Sequence, residues 1–295
     1  TNQDIVFLNQ GFITGTIKLH SANDAVHNAC ISKNANHVAY VSEESNGRLN
    51  KLFIRHRVDS SHQFSDSEFI YQTPMPSPFE RMQVCGVSDS GETILWRENS
   101  VNGECIKVIS SNDLKPTEIF CGRHVSYDVV LSADGQWIFF FVFRSKYERF
   151  GELRDITLYS HFQEGEWTSP EPIIIDGVEN HDAIKDVNTD GSIILLYNKV
   201  VSRKDHIFTK KWEFKTPFNM LDNLQVDNVG DAAAFIAYDY KSQSRHDSSI
   251  RERPMKYLIL GRMRNGELII DVLDEGIDIS HHLGADGSIL IWYKK

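Results

Sequence analysis

A five-residue polar turn recurs six times along the chain, always with an apolar residue before it and a bulky residue eight positions after its first member. The turns read SKNAN from Ser32, SDSGE from Ser88, SADGQ from Ser132, NTDGS from Asn188, DNVGD from Asp227 and GADGS from Gly284. Ile31, Val87, Leu131, Val187, Val226 and Leu283 precede them, and Tyr40, Trp96, Phe140, Leu196, Phe235 and Trp292 follow. A register kept this closely means repeated supersecondary units, whatever else the chain does.

Each turn sits between short apolar runs rich in β-branched and aromatic residues, which is the pattern of a β-hairpin. Around Ser132 the runs are YDVVL and WIFFFVF. No stretch keeps a 3.6-residue apolar period with caps, so essentially no helix is expected. Two further strand-like runs follow in most units: 51–58 and 68–72, then 105–110 and 118–122, then 155–162 and 170–175, then 256–263 and 267–273. The fold class predicted is all-β, a six-bladed β-propeller with four antiparallel strands per blade. The sixth unit has room for only two strands. Residues 4–9 and 13–19 supply the other two, so blade 6 is shared between residues 1–20 and 275–295. Such closure removes exposed sheet edges, and one domain spanning 1–295 follows.

The third unit, LSADGQWIFFFVFRSKYERFGELRDITLYSHFQEGEWTSPEPI, resembles the WD40-like propeller repeat of TolB-type and envelope-associated bacterial proteins. The shared elements are the Ser-x-Asp-Gly turn, an Arg-containing loop with Gly, a D-I-x-L-Y strand and Gly-x-Trp-x-x-Pro before the next unit. The first unit departs from the pattern by placing Ala35 where the others have glycine. The resemblance implies the propeller fold and an extracytoplasmic setting, periplasmic or secreted. It assigns no chemistry, because these motifs are architectural.

The net charge of −10 argues against general nucleic-acid binding. No apolar run approaches the roughly 20 residues of a membrane-spanning helix. Cys105 and Cys121 flank a hairpin and could oppose one another, whereas Cys30 and Cys85 fall in innermost strands, where buried free thiols are common. Four cysteines are too few for a disulfide-built scaffold.

Three loops interrupt the acidic balance. Residues 143–154 hold four basic against two acidic side chains, 198–206 three against one, and 239–254 four against three. Read as connections between second and third strands, they gather on one rim, opposite the turns. Their ligand-binding candidates are Arg144, Lys146, Tyr147, Arg149, Phe150 and Arg154, then Arg203 and Lys204, then Arg245, His246, Arg251 and Arg253. Guanidinium groups bind carboxylate or phosphate bidentately, and sugar rings stack on aromatic faces. The expected partner is a protein or an anionic glycan, and the chain is read as a monomer. The competing reading is that these loops are ordinary solvated surface.

Polar residues interrupt the innermost strands at Asn28, Asp128, Lys185, Asp186, Asn223, Ser280, His281 and His282. Asp128, with Asp186 or His281, could act as acid and base in a glycosidase or lyase, the alternative to a binding module. Adjacent His281 and His282 point to opposite faces of a strand, which disfavours a shared metal. Asp186, Asn188, Asp190 and Gly191 match the opening of a calcium loop, but Tyr197 stands where its closing glutamate belongs. No phosphate loop, dinucleotide fingerprint or zinc motif is present, so neither cofactor nor metal is expected.

Overall fold

The computed structural model describes residues 4–9, 12–18, 25–43, 49–58, 64–74, 82–100, 103–110, 113–122, 125–143, 155–213, 220–239, 255–264, 267–276, 279–283 and 290–294. Every regular element among the described residues is a β-strand, and none is a helix able to cross a membrane. The chain forms two compact units, Thr1–Ile173 with Glu179–His181, and Ile174–Val178 with Asp182–Lys295.

The first unit holds three antiparallel sheets and the hairpin Asp4–Asn9/Phe12–Lys18. Sheet 1 comprises Ala25–Ile31, His37–Glu43, Leu49–His56 and Glu68–Pro74. Sheet 2 comprises Met82–Val87, Thr93–Ser100, Gly103–Ser110 and Asp113–Gly122. Sheet 3 comprises Val125–Leu131, Trp137–Val142 and Ile156–Gln163, with the short strands Glu166–Trp167 and Glu171–Pro172 on its outer edge.

The strands of sheet 2 read as unbroken apolar runs because both faces of that sheet are covered. In sheet 2, Ile94 and Trp96 pack with Ala39, Val41, Leu52 and Ile54 of sheet 1. Leu95, between them in sequence, points the other way and packs with Leu131, Ile138 and Phe140 of sheet 3. Leu95, Trp96 and Phe140 are fully enclosed, and burial of such a side chain contributes about 1.5–3 kcal/mol.

The second unit repeats the arrangement. Sheet 4 comprises Ile184–Val187, Ile193–Leu196, Lys199–Lys204 and Ile207–Glu213, and sheet 5 Met220–Val226, Ala232–Asp239, Met255–Arg264 and Glu267–Gly276. Leu195, Val200 and Trp212 pack against Leu224, Ala233 and Phe235. A last hairpin pairs Ile279–Leu283 with Leu290–Lys294.

Five of the six turns are described, and one mechanism explains their sequence. The first side chain folds back and accepts the backbone N–H five residues on: Ser32 Oγ from His37 and Ser88 Oγ from Thr93, each at 3.0 Å. Ser132 Oγ accepts from Trp137 at 3.0 Å, Asn188 Oδ1 from Ile193 at 2.9 Å and Asp227 Oδ1 from Ala232 at 3.1 Å. All five side chains are buried, so only a short acceptor fits. The turns also bond sideways. Asn34 N donates to Asp89 Oδ1 at 2.8 Å, Asp89 N to Ala133 O at 2.6 Å, and Asn188 Nδ2 to Asn228 O at 2.9 Å.

Two strand readings require correction. Residues 170–175 do not form one strand: Glu171–Pro172 pairs with the third strand of sheet 3, whereas Ile175 pairs in parallel with Phe208 of sheet 4. Pro170 and Pro172 supply no N–H to a ladder, which breaks the run. Residues 198–206 are not a loop between second and third strands; Lys199–Lys204 is itself the third strand, reached by a tight connection at Tyr197 and Asn198. Finally, Cys105 and Cys121 are directly opposed in sheet 2 and form a disulfide.

Candidate functional site

Most of the ligand-binding candidates, Arg144, Lys146, Tyr147, Arg149, Phe150, Arg154, Arg245, His246, Arg251 and Arg253, lie outside the described residues. Arg203 and Lys204 are placed, and at the other end of the sheet from a second-to-third-strand loop. Arg203 N donates to Ser192 O at 2.7 Å, which sets it beside the turn of sheet 4. Its Nε donates to Gly191 O at 2.8 Å, and its two terminal nitrogens donate to Asp205 O at 2.8 Å and Asp190 O at 3.1 Å. The guanidinium therefore clamps a turn.

The catalytic candidates fall on innermost strands. Asp128 and Asp186 are both half-buried. Asp186 Oδ2 accepts the Val226 N–H at 2.9 Å, tying sheet 4 to sheet 5. His281 pairs in register with Trp292, and its side chain lies outside the described residues. Asn28, Asp128, Lys185, Asp186 and Asn223 coincide with irregularities in the pairing of first and second strands, at Val26/Asn28, Val125/Val129, Ile184/Asp186 and Asp222/Gln225, whereas Ser280, His281 and His282 lie in regular pairing. Bulges expose polar backbone and re-aim side chains, which accounts for polar residues in otherwise apolar strands.

The calcium-like sequence is a turn. Asn188 caps as described, and Asp190 Oδ1 accepts from Ser192 N at 3.0 Å. Burial opposes charge on Asp190, yet hydrogen bonds from Ser192 and Asn188 outweigh it and hold the carboxyl below its usual range. The free thiols are poor nucleophiles: desolvation pushes Cys30 up to about 11 and Cys85 up to about 12.

Two cavities open at the turn end of the first unit. The smaller, about 160 Å³, lies between sheets 1 and 2 and is walled by Ile54, Ile70, His56, Glu68 and the turn residues Ser90 and Gly91. His56 Nδ1 lies 2.8 Å from His37 Nδ1, and its Nε2 lies 3.4 Å from Glu68 Oε2. Desolvation and the neighbouring His56 both lower the His37 pKa.

The larger cavity, about 670 Å³, lies between sheets 2 and 3. Phe162 and Trp167 form one wall, as a cross-strand pair with ring centroids 5.6 Å apart. Thr93, Ser110, Thr117 and Gln136 line it with hydroxyl and amide groups, and Lys115, Glu92 and Glu166 stand at its exposed margin. The sequence reading missed this groove. Trp167 belongs to the Gly-x-Trp-x-x-Pro element and reads as architecture, but an aromatic residue on each side of the Glu164-Gly165 turn signals an aromatic cross-strand pair.

No family model matches the chain, and no curated protein matches it. Solved structures of similar fold include the tricorn protease, with a TM-score of 0.56 and 10% identity over 95% of this chain and 29% of that one. An oligogalacturonate lyase in complex with manganese is similar at 0.53 and 10% identity, over 88% and 68%. TolB from Acinetobacter baumannii is similar at 0.48 and 14% identity, over 88% of this chain and 56% of its own. The chain thus spans about half the length of TolB and less than a third of the tricorn protease. At these identities the likeness shows the fold alone, an all-β, propeller-like architecture.

Proposed function

We propose that this chain is a non-catalytic binding module, a six-bladed β-propeller of TolB type whose last blade is completed by its N-terminal hairpin. Its partner is a protein or glycan with an anionic surface, met by the loops 143–154 and 239–254. The observation that carries this reading is charge. Those two loops hold eight basic against five acidic side chains in a chain of net charge −10. Local positive fields on an acidic protein select anionic partners over roughly a Debye length, about 8–10 Å at moderate salt. Arg203 and Lys204 drop out of the set, since Arg203 is committed to the turn of sheet 4. The alternative, a glycosidase or lyase built on Asp128 with Asp186 or His281, is weakened because one Asp186 oxygen already accepts the Val226 N–H. The Cys105–Cys121 disulfide supports an extracytoplasmic compartment, because such bonds persist where thiols are not kept reduced.

A thermal-shift titration with heparin, polygalacturonate and polyglutamate, at low and moderate salt, tests the reading. Binding to the native state alone raises the melting temperature. The rise should fade with salt and vanish in Arg149→Glu/Arg251→Glu. No rise with any of the three, or a rise that the double variant keeps, refutes the proposal. Turnover of polygalacturonate that Asp128→Asn abolishes would assign an enzyme instead.

A further inference from the structure

We infer that the groove between sheets 2 and 3, at the turn end of these sheets, is a binding site for a neutral saccharide. Three features select that class. First, the Phe162/Trp167 pair, tilted at 59°, gives an apolar corner on which the C–H face of a sugar ring can stack. Both rings are only half-buried, so this face is open. Second, Thr93, Ser110, Thr117 and Gln136 can each donate and accept hydrogen bonds. Sugar hydroxyls have the same dual character. Third, the charged margin is one lysine against two glutamates, Lys115 with Glu92 and Glu166, so the groove offers no net positive field to an anion. The volume of about 670 Å³ falls in the ordinary range for small-molecule sites, about 300–1,000 Å³.

The hairpin that carries the aromatic wall is fixed by an unusual turn. Glu164 and Gly165 are both left-handed, with φ of 54° and 90°, the geometry of a tight two-residue hairpin. It pairs Glu166 and Trp167 back against Gln163 and Phe162, beside the groove. A peptide partner fits less well. The edge strand beside the groove, Asp113–Gly122, contains Pro116 and is irregular between Asp113/Thr117 and between Glu118/Phe120. A strand so interrupted is a poor template for an added peptide strand.

Calorimetric titration of the whole chain with cellohexaose, maltohexaose, xylohexaose and chitotetraose tests the site, with a pool of uncharged decapeptides as the competing class. At least one saccharide should bind with a Kd below about 1 mM. Trp167→Ala should weaken it by at least about tenfold, and Arg149→Glu/Arg251→Glu should leave it unchanged. Gln136→Lys and Thr117→Lys fill the groove from exposed positions without touching the core, so they decide the matter if Trp167→Ala folds poorly. No saccharide binding up to about 10 mM, binding that survives the lysine variants, or binding of the peptides instead overturns the inference. Because the two sites carry separate variants, failure here is distinct from failure at the basic loops.

Discussion

Replacing Ala35 by glycine should stabilise the protein. Ala35 takes the fourth position of the first turn with φ of 59°, where Gly91, Gly135, Gly191 and Gly230 take 76°, 74°, 71° and 73°. Its N–H donates to Ser32 O at 2.9 Å, as Gly91 does to Ser88 and Gly135 to Ser132, so the conformation is held by the turn and cannot relax away. A left-handed backbone costs a residue with a Cβ about 1–2 kcal/mol. Glycine removes that cost but gives back about 0.5–1 kcal/mol through the greater freedom of its unfolded chain. The difference is a net gain of about 0.5–1 kcal/mol, seen as a melting temperature higher by about 1–3 °C. Urea unfolding should show a higher midpoint at unchanged slope. The reverse change, Gly135→Ala, should do far more harm. It adds the same strain and sets a Cβ 2.8 Å from Thr93 Oγ1 and 2.9 Å from Ser88 Cβ, for a loss of about 2 kcal/mol or more. An Ala35→Gly protein no more stable than the parent, together with a harmless Gly135→Ala, would refute the account of the turns.

Two other changes probe the same chemistry. Asp227→Asn should raise stability at pH 7 by about 1 kcal/mol. Burial raises the Asp227 pKa despite N–H groups from Ala232 and Asp231, and asparagine at the equivalent position, Asn188, accepts the matching N–H of Ile193 and donates its amide to Ser192 Oγ, all without charge. A raised folded-state pKa means that folding favours the protonated carboxyl. The parent's handicap is therefore full above that pKa and disappears as the pH falls through it toward the ordinary carboxylate value. Thermal melts of both proteins across that range should converge at low pH; a constant difference contradicts the assignment. Arg203→Ala should cost about 1–2 kcal/mol by releasing Gly191 and Asp190, yet leave heparin-induced shifts intact. A loss of heparin response would return Arg203 to the binding set.

The turns were the most legible part of the sequence, because each position answers to a local hydrogen bond. In the five described turns a serine, asparagine or aspartate stands first and caps, and most of the apolar residues that precede them are buried. What escaped notice was decided farther away. In sheet 4 the third and fourth strands, KVVSRK and IFTKKWE, carry five basic side chains, and that charge hid Val200, Val201, Phe208 and Trp212, which are buried. Read as loop, the segment put Arg203 at the wrong end of the sheet. Residues 170–175 misled in the opposite sense, since their isoleucines suggested one strand where two prolines forbid it. The saccharide groove was invisible because it is assembled from two sheets, with Lys115 and Thr117 from one and Phe162 and Trp167 from the next.

The sideways bonds between turns have a bearing on how such a chain can grow. Asn34, Asp89 and Ala133 engage one another largely through main-chain atoms and short side chains, so the fit asks little of the particular residues. A duplicated four-stranded segment inserted at a boundary would find a ready handhold on either side. Copy number could then change by whole segments without redesign of the rest. The same economy predicts that transplanting a single segment from this chain into a related one should succeed when its turn opens with serine, asparagine or aspartate.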